Sequence, residues 1–141
     1  MTKQRLEGHM QEILKGIPDT FYMKLQVNPM AHCKTPADFL YLTPRNNVMI
    51  ECKECNGTSF PFTRYTQKHL MEKFSDSIIR NRSYLVICFW GGSRKKSRYY
   101  PIEDWQMNII MQKSKKKSVN EQDLNYYKKT WLDLKEMMWI K

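Results

Sequence analysis

The chain has 141 residues, of which 24 are Lys or Arg and 14 are Asp or Glu, so its formal charge is +10. This length suits a single core, and we expect residues 1–141 to form one domain. The first residues lack the apolar stretch of a signal peptide, and no uncharged run approaches the roughly 20 residues that cross a bilayer. The four cysteines lack the spacing of a small secreted scaffold. We therefore expect a cytoplasmic protein without a membrane span.

Much of the positive charge falls in two clusters. This pattern favours a polyanionic partner, and nucleic acid is the one we expect, with a merely soluble surface as the alternative. We expect the clustered side chains to bind DNA phosphates with salt-sensitive and mostly sequence-independent affinity. The clusters consist of Arg94, Lys95, Lys96 and Arg98, and of Lys113, Lys115, Lys116 and Lys117.

The first half of the chain predicts a helix followed by three strands. Apolar residues recur at helical spacing within residues 3–15, after which Gly16 and Pro18 end the helix. Three stretches rich in β-forming residues follow, and turn residues at 44–47 separate the last two. We therefore expect an antiparallel meander. The predicted strands are residues 20–27, 37–43 and 47–53.

The second half returns to helical spacing over residues 63–80. The continuous apolar run Tyr84–Trp90 then suits a central buried strand. A short strand is expected near residues 98–100, and a helix from about Pro101, because proline is favoured in the first turn. The resulting order is αβββαβ with C-terminal helices. It predicts an α/β fold with a mixed β-sheet flanked by helices.

The last helix is predicted to begin at Ser118, which would form a capping box with Glu121. Its apolar positions recur at three-four spacing, which suits either a coiled seam between two subunits or packing against the sheet of the same subunit. These positions are Leu124, Tyr127, Trp131, Leu134 and Met138.

The stretch Ile50–Cys55, with the sequence IECKEC, allows two interpretations. Cys52 and Cys55 have the spacing of half a zinc site, but the chain offers no second paired motif to complete it. The simpler alternative is that the buried thiols act as small apolar residues. Side chains alternate along a strand, so Glu51 and Lys53 would share one face while Cys52 lies on the other.

Asp38 gives the Glu51 and Lys53 pair a chemical use, although a plain surface salt bridge is the alternative. The turn at residues 44–47 would bring Asp38 to the same end of the hairpin as Glu51. Asp38, Glu51 and the main-chain carbonyl of Cys52 would then hold Mg²⁺, with Mn²⁺ as a possible substitute. Lys53 would orient a water molecule or offset charge on a phosphate. The implied reaction is hydrolysis of a phosphodiester.

These residues resemble a known motif. Pro36-Ala37-Asp38, twelve intervening residues and Glu51-Cys52-Lys53 are similar to the signature of the PD-(D/E)XK nuclease superfamily. The stretches ECNGTSFPF at 54–62 and YTQKH at 65–69 narrow the resemblance to the RecU and Hjc type of Holliday-junction resolvase. Residues 117–124 resemble a C-terminal signal of that family. The likeness covers roughly residues 35–125 and implies a restriction-endonuclease-like core.

The resemblance also implies further residues and partners. Glu7 corresponds to a metal-ligating glutamate on the first helix, where it borders the apolar stripe while Glu12 lies nearly opposite. Gln67 corresponds to a glutamine near the active site. The implied function is Mg²⁺-dependent resolution of four-way DNA junctions by paired cleavage, without a small-molecule cofactor. Symmetric cutting calls for a homodimer, and the short single-domain form favours a phage-encoded enzyme acting in the host cytoplasm.

One departure keeps other functions open. RecU proteins carry a long projection before the strand with the aspartate, whereas this chain has only Gln26–Thr35 there. A restriction-type or repair endonuclease of the same superfamily would share the site and prefer other DNA. A non-catalytic DNA-binding module would account for the charge but not for the placement of Asp38, Glu51 and Lys53.

Overall fold

The computed structural model describes residues 5–25, 37–90, 99–130, 133–134 and 136–137. Three α-helices, seven strands and two 3₁₀ segments are present in this part of the chain. The helices are α1 (Arg5–Lys15), α2 (Lys68–Ser77) and α3 (Asp104–Lys113), and the 3₁₀ segments are Phe62–Arg64 and Glu121–Tyr127. The strands are β1 (Phe21–Lys24), β2 (Phe39–Leu42), β3 (Asn47–Cys55), β4 (Ser59–Pro61), β5 (Asn81–Phe89), β6 (Tyr99–Glu103) and β7 (Ser118–Asn120).

The main sheet has five strands in the order β1-β2-β3-β5-β6. The first three form the predicted antiparallel meander, with a turn in which the Thr43 amide donates to the carbonyl of Asn46 at 2.9 Å. β5 pairs in parallel with β3, and β6 returns antiparallel to β5. The predicted α/β fold with a mixed, helix-flanked sheet is therefore confirmed.

Each face of the sheet carries its own apolar core. Side chains from α1 pack on one face against even-numbered residues of β3, such as Ile50 and Cys52. The other face is covered by α2 and α3, whose Met71 and Met107 are fully buried there. Because strand side chains alternate, odd-numbered residues of β3 point toward this second face. The second face is the one that receives Glu51 and Lys53.

β4 and β7 form a separate two-stranded sheet that the sequence patterns missed. The prediction of a helix beginning at Ser118 is wrong, because Ser118 pairs with Pro61 in this sheet. The predicted capping box is also wrong: the Glu121 carboxylate accepts a hydrogen bond from the Tyr100 hydroxyl at 2.7 Å. A three-residue strand is too short to show alternation, so a cap-like sequence was the stronger local signal.

Two further helix boundaries differ from prediction. Residues 63–80 hold a 3₁₀ turn and the shorter helix α2, which begins at Lys68 and ends at Ser77. Pro101 lies within β6 and not at a helix start. β6 is an edge strand of the main sheet, where a residue without an N–H is tolerated. Helix α3 instead begins after Glu103, whose side chain forms a capping box with Gln106.

The apolar positions near the C-terminus pack within the chain itself. Leu124 is fully buried in the core beneath α2 and α3, and Leu134 is fully buried in the core beneath α1. These two residues therefore support packing against the chain's own sheet over a seam between subunits. Trp131 and Met138 lie outside the described residues, as does the Gln26–Thr35 segment. No helix in the described ranges is long and apolar enough to cross a membrane.

Candidate active site

Strand β3 presents Glu51 and Lys53 side by side on the face covered by α2 and α3. Lys53 Nζ lies 3.1 Å from Glu51 Oε2, and the two side chains are 17% and 4% exposed. In the pairing of β3 with β5, Glu51 lies beside Leu85 and Lys53 beside Ile87, and both of these β5 residues are fully buried. A carboxyl group and an ammonium group this deeply buried have lost most of their hydration, so they need a compensating role or partner. This pair is therefore more than the surface salt bridge considered as an alternative.

The same alternation separates the two cysteines. Cys52 belongs to the core beneath α1, and Cys55 to the core on the opposite face. Burial, followed by the charge of Asp38, raises the pKa of the Cys52 thiol, which disfavours the thiolate that binds zinc. The zinc interpretation of these two cysteines is thus wrong, and both act as small buried residues.

Asp38 stands directly before β2 and next to Glu51 across the β2–β3 ladder. Its amide donates to the carbonyl of Ile50 at 2.9 Å, which continues the register in which Phe39 pairs with Ile50. The Cys52 amide donates to Asp38 Oδ2 at 2.7 Å and fixes the direction of the carboxylate. The predicted approach of Asp38 to Glu51 thus has a specific origin, the one-residue extension of the β2–β3 pairing.

The environment of Glu51 strongly disfavours its charge. Burial, followed by the charge of Asp38, raises its pKa from 4.5 to about 8, and Lys53 opposes both effects only in part. A protonated Glu51 can also hydrogen-bond to Asp38, which stabilises the neutral form. Glu51 Oε1 is buried without a hydrogen-bond partner. A cation between the two carboxyl groups would satisfy this oxygen and relieve their repulsion.

Glu7 approaches the site from α1. Its side chain is 17% exposed and lies 3.7 Å from Lys24 Nζ. Burial raises the pKa of Glu7, and the negative charge of Asp38 is the next largest cause. The charge of Asp38 therefore acts on both Glu7 and Glu51.

These residues fit a magnesium ion with an incomplete set of protein ligands. In the ranges that the structure describes, no three His, Cys, Asp or Glu side chains converge tightly enough to hold a metal by themselves. Mg²⁺ commonly needs only one or two carboxylates, because it retains waters and accepts substrate phosphate oxygens. Asp38 and Glu51, with one oxygen lacking a partner, meet that requirement. The Cys52 amide contacts Asp38, and the role of the Cys52 carbonyl stays a prediction.

In the part of the chain that it describes, the structure does not link the remaining predicted site residues to the acidic side chains. Gln67 immediately precedes α2, and its side-chain oxygen accepts a hydrogen bond from the Thr66 hydroxyl at 3.0 Å. Within the described residues no hydrogen bond links Gln67 to the acidic side chains. Lys113, the last residue of α3, is exposed, as are residues 115–117 in the loop before β7. Arg94, Lys95, Lys96 and Arg98 lie outside the described residues.

Two residues near the site were not predicted. Glu54, on the opposite face of β3 from Glu51, accepts a hydrogen bond from Trp90 Nε1 at 2.6 Å, and its charge contributes to the raised pKa of Glu7. The Tyr65 hydroxyl is buried without a hydrogen-bond partner, and Glu51 is among the charges that raise its pKa after burial, Asp104 and Glu72. The sequence could have indicated Glu54, because it directly follows the Glu51-Cys52-Lys53 motif. Nothing in the local sequence marks Tyr65, because its position depends on the turn before α2.

No known protein family and no curated protein matches this sequence. The structure, in contrast, is similar to that of Hjc, a Holliday junction resolvase from the archaeal hyperthermophile Archaeoglobus fulgidus. The TM-score is 0.56 at 11% identity, and the match covers 94% of this chain and 96% of the Hjc chain. The chain therefore has the fold of an Hjc-type resolvase over almost its whole length.

Proposed function

We propose that this protein is a Mg²⁺-dependent endonuclease that resolves four-way DNA junctions by hydrolysing phosphodiester bonds. The observation that carries the proposal is the meeting of Asp38, Glu51 and Lys53 on one face of the sheet. Two carboxyl groups share a buried site, one carboxylate oxygen has no partner, and an ammonium group lies 3.1 Å from Glu51. This combination of oxygen ligands and a cation matches what metal-assisted phosphodiester hydrolysis needs.

Each residue has a distinct task in the proposed site. A bound Mg²⁺ would supply polarisation of the phosphoryl oxygen and a more acidic water. Asp38 and Glu51 would hold the ion, with Asp38 kept in place by the Cys52 amide. Lys53 would stabilise negative charge that grows on the phosphate, since its side chain is 17% exposed and can reach a bound substrate. Glu7 would add negative charge beside Asp38 and attract the ion into the site. Mn²⁺ would serve as a substitute.

The charge distribution supports DNA as the substrate. The formal charge is +10, and the exposed lysines of the second cluster are Lys113 at the end of α3 and residues 115–117 in the loop between α3 and β7. That loop is tied to the chain just beyond β4, because the Phe62 amide donates to the Lys117 carbonyl at 3.0 Å. β4 is joined to β3, the strand that carries Glu51, by only three residues. The hydrogen bond to Lys117 therefore attaches the lysine loop to the segment that follows this strand.

A branched substrate is supported by the shared fold with a Holliday junction resolvase. Paired cleavage of such a junction needs two active sites related by a two-fold axis, so we infer a homodimer. No small-molecule cofactor is required by this chemistry. A cytoplasmic location and a phage origin stay predictions from the sequence.

The test incubates the purified protein with labelled four-way junction, linear duplex and single-stranded DNA in Mg²⁺. Symmetric nicks restricted to the junction are expected, and Glu51→Gln and Asp38→Asn should abolish them. Glu12→Gln is the matched control, because it removes an exposed carboxylate from α1 without touching the site. Equal cutting of linear duplex would favour a restriction-type or repair nuclease. Binding without any cutting would favour a non-catalytic module, and cleavage by the Glu51 and Asp38 variants would reject the site.

A further inference from the structure

The segment Glu121–Lys129 runs along the same end of the sheet as the candidate site. At its start the Glu121 amide donates to the carbonyl of Thr58 at 2.7 Å, three residues beyond the end of β3. At its end Lys129 and Tyr99 exchange backbone hydrogen bonds of 2.7 and 3.0 Å. Tyr99 pairs with Cys88, near the carboxyl end of β5. Both anchors therefore fix the 121–129 segment near the carboxyl ends of β3 and β5.

The segment also lies on the face of the sheet that carries Glu51 and Lys53. Lys53 pairs with Ile87, and Ile87 pairs with Tyr100, so the three residues form one row across the sheet. Paired residues share a face, and two strand spacings separate Lys53 from Tyr100 by about 10 Å. The Tyr100 hydroxyl donates to Glu121 Oε2 at 2.7 Å. The start of the 121–129 segment is therefore anchored on the same side of the sheet as the candidate site.

Tyr126 is the prominent side chain of this segment. It is 87% exposed, although its ring packs edge-on against Tyr127 with centroids 5.1 Å apart and an interplanar angle of 87°. Tyr127 is partly buried against the core beneath α2 and α3, and Leu124 is fully buried in that core. Lys128, the next residue but one after Tyr126, is exposed. The segment thus presents an exposed aromatic ring and, two residues further along the chain, an exposed lysine.

An exposed ring next to a cation is suited to single-stranded nucleic acid. Every base has a face that can stack on an aromatic side chain, while a neighbouring lysine binds the phosphate. Bases in an intact duplex are stacked on both sides and offer no free face. Bases at a branch point or in a single strand can leave the stack and reach such a ring.

We propose that Tyr126 is a stacking platform for an unstacked base of DNA bound at the candidate site, and that Lys128 contacts the adjoining phosphate. This inference rests on the proposed function in taking DNA as the ligand. It adds a source of preference for branched over fully paired DNA that is separate from the cleavage chemistry.

Binding of the full-length protein is measured by fluorescence anisotropy in EDTA, so that cleavage plays no part. The labelled probes are a single strand, a four-way junction and a linear duplex. Tyr126→Ala should bind the single strand and the junction about tenfold more weakly and the duplex unchanged, as expected for loss of one stacked base. Tyr126→Phe keeps the ring and should bind all three probes as the parent protein does. Trp105→Ala, which removes a 53% exposed ring at the start of α3, is the matched control and should bind normally.

The proposal is overturned if Tyr126→Ala binds the single strand as tightly as the parent, or if it loses as much affinity for the duplex. The same loss in Tyr126→Phe or in Trp105→Ala would also overturn it. Failure of the proposed nuclease is a different result: a protein that cuts no DNA in Mg²⁺ but shows the Tyr126→Ala defect would retain the stacking site and lose the nuclease assignment.

Discussion

Replacing Glu51 with Gln should make the metal-free protein more stable, by an amount that grows with pH. Glutamine has nearly the shape of the protonated carboxyl group but cannot ionise. Burial and the charge of Asp38 raise the pKa of Glu51 from 4.5 to about 8, so the folded state resists losing this proton while the unfolded state loses it readily. The stabilisation from a protonated Glu51 is therefore complete below about pH 4.5 and is lost as pH rises toward 8.

The size of this effect follows from the two pKa values. A difference of about 3.5 between 4.5 and about 8, at 1.36 kcal/mol for each pKa unit, limits the total loss to about 5 kcal/mol at high pH. Between pH 5 and pH 7 the unfolding free energy of the parent protein should fall by about 2 to 3 kcal/mol relative to that of Glu51→Gln. The side chain is only 4% exposed, so solvent screening reduces this value little.

The assay is urea unfolding of both proteins at pH 5, 6 and 7 in EDTA, with the difference in unfolding free energy as the readout. Other groups with raised pKa, such as Glu7 and Asp104, are common to both proteins and cancel in the difference. Glu12→Gln serves as the control, and its unfolding free energy should change with pH in the same way as that of the parent protein. Parallel curves for Glu51→Gln and the parent would refute the claim that Glu51 is buried next to Asp38 in a charge-disfavouring site.

Three further predictions concern other parts of the molecule. Glu7→Gln should weaken Mg²⁺ binding by about 5- to 30-fold in isothermal titration calorimetry, which corresponds to a coupling of roughly 1 to 2 kcal/mol between neighbouring charges. Equal affinities for Glu7→Gln and Glu12→Gln would contradict a role for Glu7. Substituting the three lysines at 115–117 by alanine should lower the salt slope of duplex binding by about 2 to 3, and an unchanged slope would place the DNA elsewhere. Phe60→Ala should cost about 3 to 5 kcal/mol in urea unfolding, because the fully buried ring links β4 to the main core, and a cost below about 1 kcal/mol would show that the small sheet is dispensable.

The sequence predicted the parts of the fold that depend on regular periodicity. The helix over residues 3–15, the meander and the buried run Tyr84–Trp90 all have long apolar patterns, and the corresponding elements are present. The alternation along β3 also predicted the separation of Cys52 from Glu51. In these places the local pattern and the tertiary burial demand the same arrangement.

The errors arose where tertiary pairing decides the local structure. Ser118 begins a strand only because Pro61 lies opposite it, and Pro101 occupies an edge strand because β5 pairs on its other side. A three-residue strand carries too little periodicity to compete with a helix-capping sequence. The exposed position of Tyr126 was not predicted for a similar reason. It depends on backbone hydrogen bonds that the 121–129 segment makes with Thr58 and Tyr99, which are distant in the sequence.

The candidate site was predictable in its composition but not in its electrostatics. Asp38, Glu51 and Lys53 follow from strand alternation and a hairpin turn. The depth of Glu51 and its oxygen without a partner depend on the packing of α2 and α3 over that face. No sequence pattern reports such burial, which is why the strong pKa shift is a finding of the structure.

The central claim is that Asp38 and Glu51 share one divalent cation. Its most direct test is anomalous X-ray diffraction from crystals of the protein soaked in Mn²⁺, beside crystals of Glu51→Gln soaked in the same way. We predict a Mn²⁺ peak in contact with a carboxylate oxygen of each residue, strongly reduced in the Glu51→Gln crystals. A peak bound elsewhere, or one of equal height in both crystals, would contradict the account.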